Sequence, residues 1–211
     1  MRLVYPILLF CLLHASAAVV AVAEEDALDT DCECLWQGSF AKVQATSDLV
    51  LSAQVIGTKG NSIDLQPEQI LAGETPATTR VWLKARNYCR PLAAQFPPGS
   101  RWVFALHKIR ETPPDGFDPG TPNVSYGRVG DFTLSSCGGY WLKLDENYVT
   151  GNLVGAPRWV REPKMSPVLL DVVAAFIKGN ITIETLAQAT KVDPALRDLM
   201  LDTRSFLRNG E

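Results

Sequence analysis

Apolar residues recur along this chain in two different periods, and the change from one to the other divides it. From Leu49 to Leu144 they fall in short runs of strand length separated by turn signals. Leu49-Val50-Leu51-Ser52-Ala53-Gln54-Val55-Ile56-Gly57 has the β-branched content and length of a strand, and Gly57 to Asn61 supplies a turn. Ser62 to Ile70 predicts a second strand, in which Ile63 and Leu65 alternate with polar neighbours. Pro67 has no amide hydrogen for a ladder, so an edge or a bulge is expected there. Arg80-Val81-Trp82-Leu83-Lys84 predicts a third strand. The turn Pro97-Pro98-Gly99-Ser100 launches Arg101-Trp102-Val103-Phe104-Ala105-Leu106, the most continuously apolar strand. Asp131 to Leu134 and Tyr140 to Leu144 predict two more, flanking Cys137-Gly138-Gly139, whose glycines suit a tight turn or a close backbone approach. Thr112 to Asn123, with four prolines and two glycines, reads as a loop.

After Gly155-Ala156-Pro157 the period lengthens to about three and a half residues. Ser166-Pro167 predicts an N-cap and a first helical position. Leu169, Val172, Val173, Phe176 and Ile177 then share one face, and Gly179 ends the helix. Thr182 caps a second short helix, with Ile181 and Leu186 at the spacing of a hydrophobic staple. Asp193-Pro194 opens a third, where Leu196, Leu199, Met200 and Leu207 share a stripe. Strands followed by helices give an α+β fold: a five- to six-stranded closed β-barrel with a small C-terminal helical appendage docked on it. Trp36 and Phe40, ahead of the first strand, are expected to face the core.

Residues 1–23 read as a signal peptide: Arg2 is its one charge, Leu3 to Leu13 is apolar, and Ala21-Val22-Ala23 is a small-x-small cleavage site. His14 and Ser16 interrupt the apolar run, so no stable membrane span is expected in the mature form. Cys11 follows the bulky Phe10, which does not suit a lipid-anchoring signal. Residues 24–31 read as a flexible leader, residues 32–155 as the barrel and residues 156–211 as the helical extension. Of 211 residues, removal of 23 leaves 188, enough for one good core. The 20 Lys and Arg less Arg2, against 23 Asp and Glu, leave a net charge of −4. That mild acidity argues against a nucleic-acid surface, which wants a clustered basic face. Export places the protein in the periplasm or outside the cell, where disulfides persist.

The remaining chemistry gathers at four cysteines, Cys32, Cys34, Cys89 and Cys137. Cys32 and Cys34 are too close in sequence to bond each other readily, so each needs a distant partner; four cysteines permit three pairings. As zinc ligands they lack a pair at the usual two-to-four-residue spacing beside Cys89 or Cys137, so no metal is expected. His107 is the only histidine left after export and reads as a solvated strand end. No nucleophile elbow, His-Glu-x-x-His or phosphate loop is present. No catalytic residue and no cofactor are assigned; an enzyme of an unrecognised class remains the third reading. Five tryptophans, Trp36, Trp82, Trp102, Trp141 and Trp159, divide between core and a binding face, with most expected in the core.

The order of these features resembles the netrin-like module shared with the tissue inhibitors of metalloproteinases. It rests on the Cys-x-Cys opening, Asp48-Leu49-Val50, Ile70-Leu71-Ala72-Gly73, the loop cysteine Cys89, Gly99-x-x-Trp102-Val103-Phe104 and Cys137-Gly138-Gly139, over Cys32 to Leu153. The resemblance implies an oligonucleotide/oligosaccharide-binding-type (OB) barrel with Cys32 bonded to Cys89 and Cys34 to Cys137. It also implies an exported binding module for another macromolecule, with a zinc protease among the protein partners. In the inhibitors the free amine and carbonyl of the first cysteine chelate the target's zinc. This chain departs from that pattern twice. Eight residues precede Cys32 after the expected cleavage, and Glu33 stands where a small residue is usual. Metalloprotease inhibition is therefore the alternative reading, and binding by the module the first. The candidate interaction residues are Cys32, Glu33, Cys34 and Leu35 with Trp82, Gly138, Gly139, Tyr140 and Trp141.

Overall fold

Strand β1 (Leu49–Lys59) is buried along its first five residues, on both of its faces, and is paired on both edges. The computed structural model describes residues 33–85, 88–114, 116–117, 125–155 and 167–191. The expected signal peptide and leader, Cys32, Trp159, much of the 112–123 loop and the third helix lie outside the described residues. On one edge β1 pairs antiparallel with β2 (Ser62–Ala72). On its other edge lies β4 (Arg101–Lys108), in register from Leu49 opposite Leu106 to Gln54 opposite Arg101. β2 pairs with β3 (Thr79–Trp82), and β3 runs parallel to β5 (Phe132–Thr133). β5 pairs in turn with the end of β4, at His107 and Lys108. The ring β1-β2-β3-β5-β4 is therefore closed: a five-stranded, mixed, OB-like barrel.

Three strands lie outside the ring. β6 (Trp141–Asp145) pairs with β4 at Trp102 to Phe104, and β7 (Tyr148–Thr150) and β8 (Val168–Leu169) continue the sheet. Bulges let long strands bend into so small a ring. The β1–β2 register slips three times, leaving Leu71, Glu68 and Ile56 as the extra residues. The second slip adjoins Pro67, and that half of β2 has no β3 partner, so both expectations for the proline hold. Phe96, fully buried, meets Trp102, Phe104 and Trp141 edge-on at 5.1, 5.4 and 5.7 Å, the favoured aromatic geometry.

Ahead of the barrel, α1 (Phe40–Val43) buries Phe40, Ala41 and Val43. After it come α2 (Leu170–Ile177) and α3 (Ile183–Ala189). The first of these starts later than Ser166-Pro167 predicts, because Val168 and Leu169 pair with Val149 and Tyr148 as β8. Leu169, assigned to the apolar helix face, is instead an exposed strand residue, and α2 begins without a side-chain cap. Gly179 (φ 74°) ends α2 as expected, with Gly179 N–H donating to Phe176 O and Asn180 N–H to Ala175 O. Thr182 caps α3 through Thr185 N–H, and Leu186 is fully buried with Ile181 packed beside the same core. Val168, Val173 and Leu186 belong to one apolar cluster with the barrel interior, so the helices dock. No described helix is long and apolar enough to cross a membrane.

Gly73 has a φ of 81°, and a Cβ there would stand 2.2 Å from Asp48 O and 3.1 Å from Leu49 Cα. Gly99 has a φ of 87° but open space around it. Gly99→Ala should cost about 1 kcal/mol, the left-handed strain alone, and Gly73→Ala about 3 kcal/mol, with the backbone clash added. Urea unfolding midpoints at unchanged m-value measure both.

Candidate functional site

The residues just after Cys32 have no ladder of their own class, yet they are held in place. Glu33, Leu35 and Gln37 are exposed while Cys34 and Trp36 are half-buried, the alternation of an extended segment with one face down. Cys34 forms a disulfide with Cys137, Cα to Cα 5.9 Å, across 103 residues of sequence. Gln37 N–H then donates to Cys137 O at 2.7 Å, and Gly139 N–H to Gly38 O at 2.9 Å. Two further bonds, Phe40 N–H to Asn152 O and Ala41 N–H to Leu153 O, carry the segment into α1. The Tyr140 hydroxyl adds a short hydrogen bond to Gln37 Oε1.

Gly138 and Gly139 are buried where this segment crosses them. A Cβ on Gly139 would meet Asn152 O at 2.8 Å and Phe40 N at 2.9 Å, so the close-approach reading of these glycines holds. Cys89 is also disulfide-bonded, and its expected partner Cys32 lies outside the described residues. Ser136 N–H donates to Cys89 O at 2.9 Å, stitching the two cysteine loops together. The sulfurs of Cys34, Cys89 and Cys137 lie within 4.8 Å of one another. All three are oxidised, so none offers the thiolate that a zinc ion needs.

Several candidate interaction residues are interior. Trp82 is 3 % exposed: its indole N–H donates to Asp131 Oδ2 at 2.8 Å, and a Cβ on Gly127 would stand 2.6 Å from its ring. Tyr140 is equally buried, and Trp141 is half-buried against Phe96. Closure of the barrel turned these faces inward or covered them. What remains outward at the rim is Glu33 and Leu35, the latter 89 % exposed.

His107 is half-buried, not a solvated strand end, with its ring 5.3 Å from that of Tyr140. Burial holds its imidazole pKa below 6.5; Asp48 opposes that shift and Arg110 adds to it. Asp48 itself accepts from Lys108 N–H at 2.8 Å and Arg110 Nη2 at 2.6 Å. Partial desolvation raises the Asp48 pKa, but these donors outweigh it and the net shift is downward.

A second site went unread in the sequence. Arg90 is 7 % exposed, its guanidinium 4.3 Å from the Tyr126 ring centroid and 5.2 Å from that of Tyr88. The two rings meet edge to face at 4.8 Å. Nη1 donates to Tyr126 O at 2.5 Å. With Cys89, Pro113, Thr133, Leu134 and Ser135 they line an open pocket of about 220 Å³. Tyr88-Cys89-Arg90 carries no motif, and Tyr126 stands 36 residues away, so nothing local could have announced it.

Replacing Cys34 and Cys137 together by alanine should lower unfolding free energy by about 2–5 kcal/mol, measured by denaturant titration under oxidising conditions. The pH dependence follows from His107. Its folded pKa lies below the unfolded one, so the stability it contributes is full above about pH 6.5 and is lost as pH falls through the folded value. His107→Gln should flatten the stability profile below about pH 6.5, leaving the steeper carboxylate losses near pH 4 intact; unfolding midpoints across pH read this directly.

Comparison with protein-family models, with curated proteins and with solved structures returned no match to this chain.

Proposed function

We propose that this protein is an exported, netrin-like binding module that recognises another protein through the rim formed by its front segment. One observation carries the reading: Leu35 is 89 % exposed although the chain on both sides of it is fixed. Cys34 is bonded to Cys137 immediately before it, and Gln37, two residues after it, is hydrogen-bonded to the same residue. An apolar side chain on a backbone already held in place needs little further backbone ordering when a partner covers it, and such preorganisation raises affinity. The five-stranded barrel and the Cys34–Cys137 bond support the netrin-like assignment. Export is supported by the apolar signal-like sequence of residues 1–23 and by the disulfides, which persist outside the cytoplasm.

The test places a photo-crosslinking residue at position 35 of the mature protein in its native extracellular or envelope extract. A discrete crosslinked protein is expected, displaced by excess unmodified chain but not by the Leu35→Asp variant. Unaltered crosslinking in the presence of excess unmodified chain, or none at all, would sink the reading. A zinc endopeptidase as the captured partner would move the reading to inhibition.

A further inference from the structure

We propose that the pocket around Arg90 is a binding site for a carboxylate. The inference stands on this pocket alone and does not depend on the rim. An arginine retains its charge inside proteins, and a buried charge is costly without a counter-charge. Among the described residues the Arg90 guanidinium has no carboxylate partner; it has one hydrogen bond, to the Tyr126 carbonyl, and two tyrosine rings. Burial pulls its pKa down, and the two tyrosines only partly oppose this. The counter-charge is the missing half of the arrangement.

The wall of the pocket specifies the ligand further. Ser135 Oγ accepts from Cys137 N–H at 3.1 Å, which commits a lone pair and leaves the hydroxyl hydrogen to donate. Thr133, by contrast, has its hydroxyl hydrogen on Trp82 O at 3.0 Å. The pocket therefore offers a planar guanidinium fork and one hydroxyl donor. That set matches the two oxygens of a carboxylate. Arg90 is the only charged residue among the described lining residues, which disfavours a phosphate dianion. Pro113 and Leu134 supply apolar wall for a short hydrocarbon or ring attached to the acid, within about 220 Å³. Free organic acids and an acidic side chain of a protein share this chemistry.

The test titrates the full mature chain, at constant ionic strength, with sodium benzoate, with a blocked glutamyl peptide, and with benzamide and sodium chloride as controls. The Arg90 side-chain Nε–Hε resonance and the backbone amide resonances of Tyr88, residue 90 and Ser135 are followed by NMR, the amides alone in Arg90→Lys. Saturable shifts are expected with the two carboxylates and not with the controls. Ser135→Ala, at an unchanged Tm, should weaken binding about tenfold, and Arg90→Lys, which keeps the charge but loses the fork, should abolish it. Tighter binding of benzoate assigns the site to small organic acids, and tighter binding of the peptide to an acidic protein segment. Equal shifts with chloride, no saturation, or no effect of Ser135→Ala would overturn the proposal. So would binding that emerges only in Asp115→Asn/Asp118→Asn, because the chain's own acids would then be the occupants.

Discussion

Strand β4 has no free edge where it matters, and the fold depends on that double pairing. One side is taken by β1 from Leu49 to Gln54, the other by β6 at Trp102 to Phe104 and by β5 at His107 and Lys108. Residues on both faces of β4 are buried from Trp102 to Leu106, which explains that unbroken apolar run. β5 is two residues long, yet it joins β3 to β4 and so completes the ring. The apolar interior of a ring this small needs no layer beneath it, and the helices and front segment are free to cover its outside.

The front segment illustrates how covalent and non-covalent ties share that work. A single disulfide fixes one point of an extended chain; the hydrogen bonds from Gln37, Gly139, Phe40 and Ala41 fix its direction. Only glycines at 138 and 139 allow the two backbones to come so near. The crosslink limits the unfolded chain, while the hydrogen bonds and the buried Phe40 define the folded one. The outcome is a stiff rim in which side chains alternate between protein and water.

Most elements were legible in the sequence, down to the two-residue β5 within Asp131 to Leu134 and the short, Thr182-capped α3, but the last two strands were not. β1, β2 and β4 are each eight residues or longer and follow their patterns closely. β7 and β8, of three and two residues, are too brief for any period to show. Ser166-Pro167 carried the local chemistry of a helix start, but pairing of Val168 and Leu169 with β7 outweighed it, an ordinary victory of tertiary contact over propensity. Trp82 could be placed on a strand but not on a face, because inside and outside are defined only once the ring closes. The Cys34–Cys137 pairing came from likeness to a family, not from spacing. Arg90 was invisible because its surroundings are gathered from residues 88 to 135.

The crowding of sulfurs at the rim has a consequence for biogenesis. Three of them lie within 4.8 Å of one another, so the finished fold holds a competing sulfur close beside the Cys34–Cys137 bond. Exchange among neighbouring sulfurs proceeds by thiolate attack on an existing bond. A newly made chain that oxidises before residues 34 and 137 meet would trap a mispaired species. An isomerase, or slow oxidation after barrel closure, would let the backbone geometry select the correct partners.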